Sequence, residues 1–199
     1  MKSILAGLCV AGTALAGTAV AGTAMAAAIA ETAAAESATT VAHWQPQKLN
    51  FNYSGFTTLY TCDGLEDKVR DILETFGARK GIKVRATGCS EGQNRPSKFA
   101  WVTAEFSSLA PVASEPTAAV PASDTAKSEP VKVEWAKVRL APHRPSYMGD
   151  GECELVDQMR DVLQKGFALR NASYRTSCIP HSVSIADYDV TAEVMKASR

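Results

Sequence analysis

The cysteines are the residues of this 199-residue chain with the clearest capacity for chemistry. Besides Cys9, which lies in an apolar N-terminal stretch, the chain holds Cys62, Cys89, Cys153 and Cys178. Such thiols can form disulfides, bind a metal or perform redox chemistry. The chain contains no Cys-x-x-Cys motif, and an even number of cysteines in an exported protein favours disulfides. We therefore expect two disulfides, for which the number of cysteines alone allows three pairings.

Three histidines and a group of carboxylates are the other candidates for catalysis. His43, His143 and His181 lie outside any nucleophile, phosphate-loop, dinucleotide or zinc-protease motif. The closest fragment to a calcium site is Asp150-Gly151-Glu152, considered together with Asp187 and Asp189, but carboxylates in turns are also common helix caps. We therefore expect no catalytic residue, no metal site and no cofactor, and we predict that the protein is not an enzyme.

Two short sequence patterns occur twice in the chain. Residues 65–73 read LEDKVRDIL and residues 155–163 read LVDQMRDVL, with apolar residues at helical spacing in both. Residues 102–106 read VTAEF and residues 190–194 read VTAEV, which is typical of strands. The order of cysteine, helix, cysteine and final strand is the same in both halves. We interpret this repetition as a tandem duplication.

Each half places one predicted helix and one predicted strand between its two cysteines. A helix of about 15 residues advances about 22 Å, and a strand of about 7 residues returns a similar distance. Both cysteines of a half then lie at the same end of the sheet, where a disulfide can form. We therefore predict the pairs Cys62–Cys89 and Cys153–Cys178, each of which stabilises a small unit by about 3 kcal/mol.

The predicted fold class is α+β, with two β-α-β-β units, an antiparallel-rich sheet and both helices on one face. The first unit covers residues 44–108 and the second covers residues 131–196. A Pro/Ala-rich linker, residues 109–130, separates them. The strands at 99–106 and 131–140 flank this linker, and we expect them to pair as a wide hairpin. Whether the halves form one sheet or two stays open.

The N-terminus has the pattern of a bacterial secretory signal peptide over residues 1–26, with cleavage near residues 26–30. It carries one charge, Lys2, and then small and weakly apolar residues. A membrane anchor is the alternative, but alanine, glycine and threonine contribute little transfer energy. Residues 31–43 are predicted to be a flexible leader. We expect a periplasmic or secreted protein with no stable membrane anchor after cleavage.

Charge and sheet geometry bear on the partner. The chain has 21 basic and 21 acidic residues, and it contains no basic tract of the kind that binds nucleic acid. Because the helices cover only one face of the predicted sheet, the other face is a natural docking surface. We predict Tyr53, Trp101 and Trp135 as candidate partner contacts on that open face.

The leading hypothesis for the function is therefore a non-catalytic envelope protein that binds another protein or a peptide, with strand addition at a sheet edge as one mode. One alternative is a small-ligand binder or enzyme with its site between the two halves. Another is a structural protein that uses the linker as a spacer. The sequence leaves the partner and the oligomeric state open.

Overall fold

The computed structural model describes residues 40–91, 95–112, 129–182 and 187–198. The predicted signal peptide, most of the predicted leader and most of the predicted linker lie outside these residues. Within the described ranges, no helix has the length and apolar character required to cross a bilayer.

The described part of the chain forms eight strands, three α-helices and one 3-10 turn. In chain order these are β1 (Thr40–Ser54), α1 (Cys62–Thr75), β2 (Lys83–Thr87), β3 (Ser90–Glu91), β4 (Arg95–Pro96), β5 (Phe99–Pro111), β6 (Val131–Leu140), the 3-10 turn (Asp150–Glu152), α2 (Cys153–Gln158), α3 (Arg160–Gly166), β7 (Leu169–Ser177) and β8 (Asp187–Ala197). The hydroxyl oxygen of Thr61 caps α1 by accepting a hydrogen bond from the Gly64 N–H at 3.2 Å.

Six of the strands form one antiparallel sheet in the order β2-β5-β1-β6-β8-β7. From the centre of the sheet outward, the first half contributes β1, β5 and β2, and the second half contributes β6, β8 and β7. With the separate pair β3 and β4 left aside, each half therefore has its first strand at the centre, its third strand next and its second strand at the edge. Both halves therefore contribute to one sheet, and their matching strand orders agree with the duplication, which stays a prediction.

The predicted hairpin between the strands on either side of the linker is wrong, because β1 lies between β5 and β6. β1 pairs with β5 from Ala42–Pro111 to Ser54–Phe99, which is nearly its full length. It pairs with β6 only over residues 40–42. The long ladder with β5 therefore replaces the hairpin, since it satisfies more backbone groups than a pairing with the ten-residue β6 allows.

All three helices pack on one face of the sheet, as predicted. Alternate residues of β5 and β8 point to this face and are buried, as are the apolar residues of the helices. The sheet residues of this core include Ala100, Val102, Ala104, Phe106, Tyr188, Val190, Ala192 and Val194, and the helix residues include Leu65, Val69, Ile72, Leu73, Leu155, Val156, Met159, Val162 and Leu163.

Several element boundaries differ from the sequence prediction. β1 begins at Thr40, inside the predicted leader, and β5 continues to Pro111, inside the predicted linker. The two extensions pair with each other, and Ala42 and Leu109 are buried in a second apolar cluster on the open face. The predicted second helix forms two segments, α2 and α3, which meet at Met159.

Both predicted disulfides are confirmed. Cys62 bonds Cys89 with a Cα separation of 5.3 Å, and Cys153 bonds Cys178 with a Cα separation of 5.5 Å. Cys62 and Cys153 are the first residues of α1 and α2. Each disulfide therefore fixes the start of a helix to a cysteine just after the strand that follows it, β2 or β7.

Candidate partner-binding surface

The structure places the three predicted partner contacts in different environments. Trp101 is 68% exposed on the open face, where it lies opposite Asn52 of β1. Trp135 is half-buried on the same face, and the guanidinium of Arg170 lies 3.9 Å from the centre of its ring. Tyr53 is only 2% exposed and belongs to the core beneath the helices. Trp101 alone of the three presents most of its side chain to solvent.

The prediction that Tyr53 lies on the open face is wrong. Its ring packs edge-on against Tyr60 with the ring centres 5.3 Å apart, and its hydroxyl donates a hydrogen bond to the carbonyl oxygen of Thr58. Burial raises the pKa of the Tyr53 hydroxyl above its usual range. The sequence contained the signal for this placement, because Leu49, Phe51 and Tyr53 alternate with polar residues along β1 and so point to the apolar side.

Trp101 belongs to a larger group of exposed side chains, which we call the aromatic patch: Phe56, Phe99, Trp101, Ile179 and His181. Phe99 is 57% exposed and lies two residues from Trp101 on the same face of β5. Phe56 contacts Phe99 edge-on, with ring centres 6.3 Å apart, and contacts the His181 ring at 5.9 Å. Ile179 is also exposed. The patch therefore combines residues of both halves of the chain.

Sequence reasoning identified only Trp101 in this patch. The signal for Phe99 was present, because in FAWVTAEF it shares the strand face of Trp101 rather than that of Ala100 and Val102. Phe56 and His181 come together only through the tertiary fold, since they are distant in sequence. No periodicity in the sequence indicates such a contact.

A carboxylate of the second half holds the loop that carries Phe56. Glu154, in the first turn of α2, is buried. Its carboxylate accepts hydrogen bonds from the N–H of Phe56 at 2.8 Å and from the N–H of Thr57 at 3.0 Å. It also accepts one from the Thr57 hydroxyl at 3.2 Å. These bonds to a charged acceptor fix the backbone that presents Phe56.

Two further contacts hold the same loop. The side-chain amide of Gln158 accepts from the Ser54 N–H at 2.6 Å and donates to the Ser54 carbonyl oxygen at 2.8 Å. The Thr58 hydroxyl donates to the carbonyl oxygen of Gly151 at 2.8 Å. We call these contacts, together with those of Glu154, the latch. The latch joins Gly151 and both ends of α2 to residues 54–58 and thereby couples the two halves.

Glu152 lies beside the latch and is the most perturbed carboxyl group of the region. It is 7% exposed, its carboxylate lies 2.9 Å from the Lys68 ammonium, and it accepts a hydrogen bond from the Tyr60 hydroxyl. Burial raises the pKa of Glu152 to about 7, partly offset by a hydrogen bond with the backbone of Gly149. Burial also lowers the pKa of Lys68. A carboxyl group of this kind can exchange a proton near neutral pH.

The described part of the chain also carries surface grooves, one of which is lined in part by Gln158 of the latch. One of about 480 Å³ lies between β1 and the α2–α3 segment, and two of about 370 Å³ lie near the start of β2 and on β6 and β8. Neither His143 nor His181 lines any of the three. His143 instead lies 3.3 Å from the exposed carboxylate of Asp150. Among the described residues, no group of three or more His, Cys, Asp or Glu side chains is arranged to hold a metal ion.

Comparison of the chain with protein-family models, with curated proteins and with solved structures finds no match.

Proposed function

We propose that the protein is a non-catalytic, exported envelope protein that binds another protein through the aromatic patch. The observation that carries this proposal is the exposure of neighbouring large apolar side chains, Phe56, Phe99, Trp101 and Ile179, at one end of the sheet. Apolar surface of this kind is normally removed from water, and contiguous patches mark interaction sites. The proposed export rests on the N-terminal sequence pattern and agrees with the two disulfides.

The chemistry of the patch favours an apolar segment of a partner protein as the ligand. Aromatic side chains supply the anchors of many protein interfaces, because they bury a large area with few rotatable bonds. The carboxylate of Glu154, which accepts a hydrogen bond from the Phe56 N–H, is buried and is already engaged with the loop. The surface presented to the partner is therefore rings and an aliphatic side chain rather than a charged group.

The latch supports this proposal because it holds the patch in place before a partner arrives. Glu154 fixes the backbone of Phe56, and the Thr57 hydroxyl lies 3.5 Å from the Ile179 carbonyl oxygen. A surface that is already ordered loses little conformational entropy on binding. The backbone that carries Phe56 therefore needs no rearrangement to form an interface.

Affinity capture from envelope extracts tests this function. The bait is the mature protein, and the test variant is Phe99→Ser with Trp101→Ser. The matched control is Val41→Ser with Val112→Ser, since both valines are exposed and lie at the opposite end of the β1–β5 ladder. We expect the patch variant to capture about tenfold less of a partner protein, or even less than that. The control should capture as much as the wild type does. Both variants should keep the wild-type thermal unfolding midpoint. Equal capture by both variants would contradict the proposal.

A second candidate function, a small-ligand binder or enzyme with its site between the halves, is favoured by Glu152. A carboxyl group with a pKa of about 7, beside Lys68 at the junction of the halves, is the kind of group that transfers protons in enzymes. Thermal-shift screening of small molecules against the wild type and Glu152→Gln tests it. Stabilisation of the wild type alone would favour this candidate over the first.

A further inference from the structure

The backbone of β1 uses one of its two sides for the ladder with β5. Within an antiparallel strand, the N–H and C=O of one residue point to the same side, and successive residues alternate. Gly55, which directly follows β1, donates its N–H to Lys98 at 2.8 Å, and the Val41 carbonyl oxygen accepts from the Val112 N–H at 3.3 Å. Both contacts show that the odd-numbered residues of β1 bond towards β5. The even-numbered residues therefore bond towards the opposite side.

That opposite side is paired at its two ends and open between them. Ala42 pairs with Val131 of β6, and Gln158 satisfies both backbone groups of Ser54. Between these ends, no strand among the described residues pairs with β1 on this side. Pro46 lies in the same interval and has no N–H, which is the position that a sheet edge tolerates for proline. The backbone of residues 44–52 therefore has no strand partner on this side among the described residues, although β1 lies between two other strands of the sheet.

The groove of about 480 Å³ runs along this edge. Its lining residues are Leu49, Asn50, Phe51, Asn52, Asp157, Gln158, Arg160, Asp161, Val162 and Lys165. All four charged groups on the helical wall have contacts within the protein. Asp161 pairs with Lys165 at 3.3 Å, and Asp157 accepts from the Thr176 hydroxyl at 2.7 Å.

The guanidinium of Arg160, the fourth charged group, lies 5.1 Å from the centre of the Tyr174 ring. The wall therefore carries two acidic and two basic groups and gives no preference for a ligand of either charge. Recognition in this groove would therefore depend on the backbone of β1, whose N–H and C=O groups can form hydrogen bonds with an extended chain.

We propose that the edge of β1 from Lys48 to Asn52 binds an extended peptide segment of a partner protein as an added strand. Lys48, Asn50 and Asn52 each present one N–H and one C=O group, the complement that a strand requires. Gln158 already makes this pair of bonds to Ser54 with its side-chain amide, which shows that the edge accepts a partner in this geometry.

This inference rests on the proposed function and adds a second, adjacent contact to it. Asn52 is directly opposite Trp101 in the β1–β5 ladder. An added strand would lie two strand spacings, about 10 Å, from β5. A partner protein that contacts the aromatic patch can therefore extend one of its segments along the groove. Strand addition supplies affinity from the backbone, and the patch supplies selectivity.

Amide hydrogen exchange of the mature protein, measured by NMR, tests the free edge directly. We expect the amides of Lys48, Asn50 and Asn52 to exchange faster than those of Leu49 and Phe51, which bond towards β5. Protection of the even-numbered amides in dilute protein would overturn the inference, because another segment of the chain would then cover the edge. Protection that appears only with rising protein concentration would overturn it in favour of a second copy.

Selection of displayed random peptides of about ten residues, the upper length of most strands, tests the occupant. We expect a selected peptide to protect the amides of Lys48, Asn50 and Asn52. We expect Asn50→Pro to weaken peptide binding by about tenfold or more without unfolding the protein, because it removes a donor on the free side only. Asn50→Ala keeps that donor and should bind as the wild type does, whereas Leu49→Pro removes a ladder bond and should destabilise the fold.

Failure of the added strand is distinguishable from failure of the proposed function. If no peptide is selected, or if peptides bind Asn50→Pro as well as they bind the wild type, the strand proposal is overturned. If the double variant Phe99→Ser with Trp101→Ser still loses the partner protein in affinity capture, the aromatic patch remains the proposed docking surface. If Asn50→Pro alone abolishes binding, the edge is the site and the proposal for the patch is overturned.

Discussion

Stability of the protein should fall as the pH rises from 5 to 8, because of Glu152. Burial raises the pKa of this carboxyl group in the folded protein to about 7, from an ordinary value of 4.5. Between these two values the folded state holds a proton that the unfolded state has released. Stability falls with pH wherever the folded state binds more protons than the unfolded state. The contribution of Glu152 is therefore fully present below pH 4.5 and is lost as the pH rises through about 7.

The magnitude follows from the pKa values of the folded and unfolded states. A tenfold difference in proton affinity between two states corresponds to about 1.4 kcal/mol, so Glu152 should remove about 2–3 kcal/mol from the free energy of unfolding between pH 5 and pH 8. The groups that face it are the Lys68 ammonium and the Tyr60 hydroxyl. The prediction is that the effect of burial on the pKa exceeds the attraction of these two groups for the ionised carboxylate.

Urea unfolding at several pH values checks this prediction. The Glu152→Gln variant keeps a neutral side chain of the same size at every pH, so its stability should change by about 2–3 kcal/mol less than that of the wild type across this range. The difference between the two proteins cancels the titration of all other groups. Asp150→Asn is the matched control, because Asp150 is two residues away and exposed. Parallel curves for the wild type and Glu152→Gln would contradict this prediction, because they would show that the Lys68 ion pair outweighs burial.

Two further predictions concern the elements that hold the aromatic patch. Replacing both Cys153 and Cys178 by alanine should lower the free energy of unfolding by about 3 kcal/mol, because the disulfide closes a loop with a sequence separation of 25; unchanged urea unfolding would contradict this. Gly55→Ala should destabilise the protein by about 1–3 kcal/mol, since its Cβ would lie 2.4 Å from the Thr58 carbonyl oxygen, whereas Gly149→Ala meets only ordinary contacts. Equal unfolding midpoints for the two variants would show that the loop adjusts freely.

The disulfides and the helices were predictable because they depend on short stretches of the chain. The apolar residues of α1, from Leu65 to Leu73, recur at helical spacing, and the lengths of one helix and one strand bring Cys62 back to Cys89. Each of these predictions uses fewer than thirty residues of sequence. The number of competing arrangements over so short a distance is small.

The central strand pairing was not predictable in the same way. Chain order favours pairing of β5 with β6 across the linker, and local pattern alone gives no measure of how well β1 competes. β1 pairs with β5 in place of β6 because the β1–β5 ladder extends over residues 42–54 of β1. This ladder includes residues that the sequence pattern assigned to a flexible leader. Such a result depends on the total number of backbone groups satisfied across the sheet, which no single segment reveals.

The latch was missed for a different reason. Glu154 and Gln158 are polar residues on a helix, where the usual reading is a solvated face. Both form hydrogen bonds with the backbone of a loop about one hundred residues away. Sequence pattern reports the average preference of a residue type, and a buried carboxylate that accepts three hydrogen bonds departs from that average. Departures of this kind mark positions where the tertiary structure imposes a particular local geometry.

The first turn of α2 fixes both loops of the aromatic patch, and this arrangement bears on the proposed function. Glu154 holds the backbone of Phe56, and the adjacent Cys153 holds Cys178, which directly precedes Ile179. One helical turn thus positions apolar side chains that face solvent and that add nothing to the core. Exposed apolar side chains are unfavourable in water, and a loop free to move would bury them. Holding them outward by two independent means, a charged acceptor and a disulfide, supports a surface that is preserved for a partner.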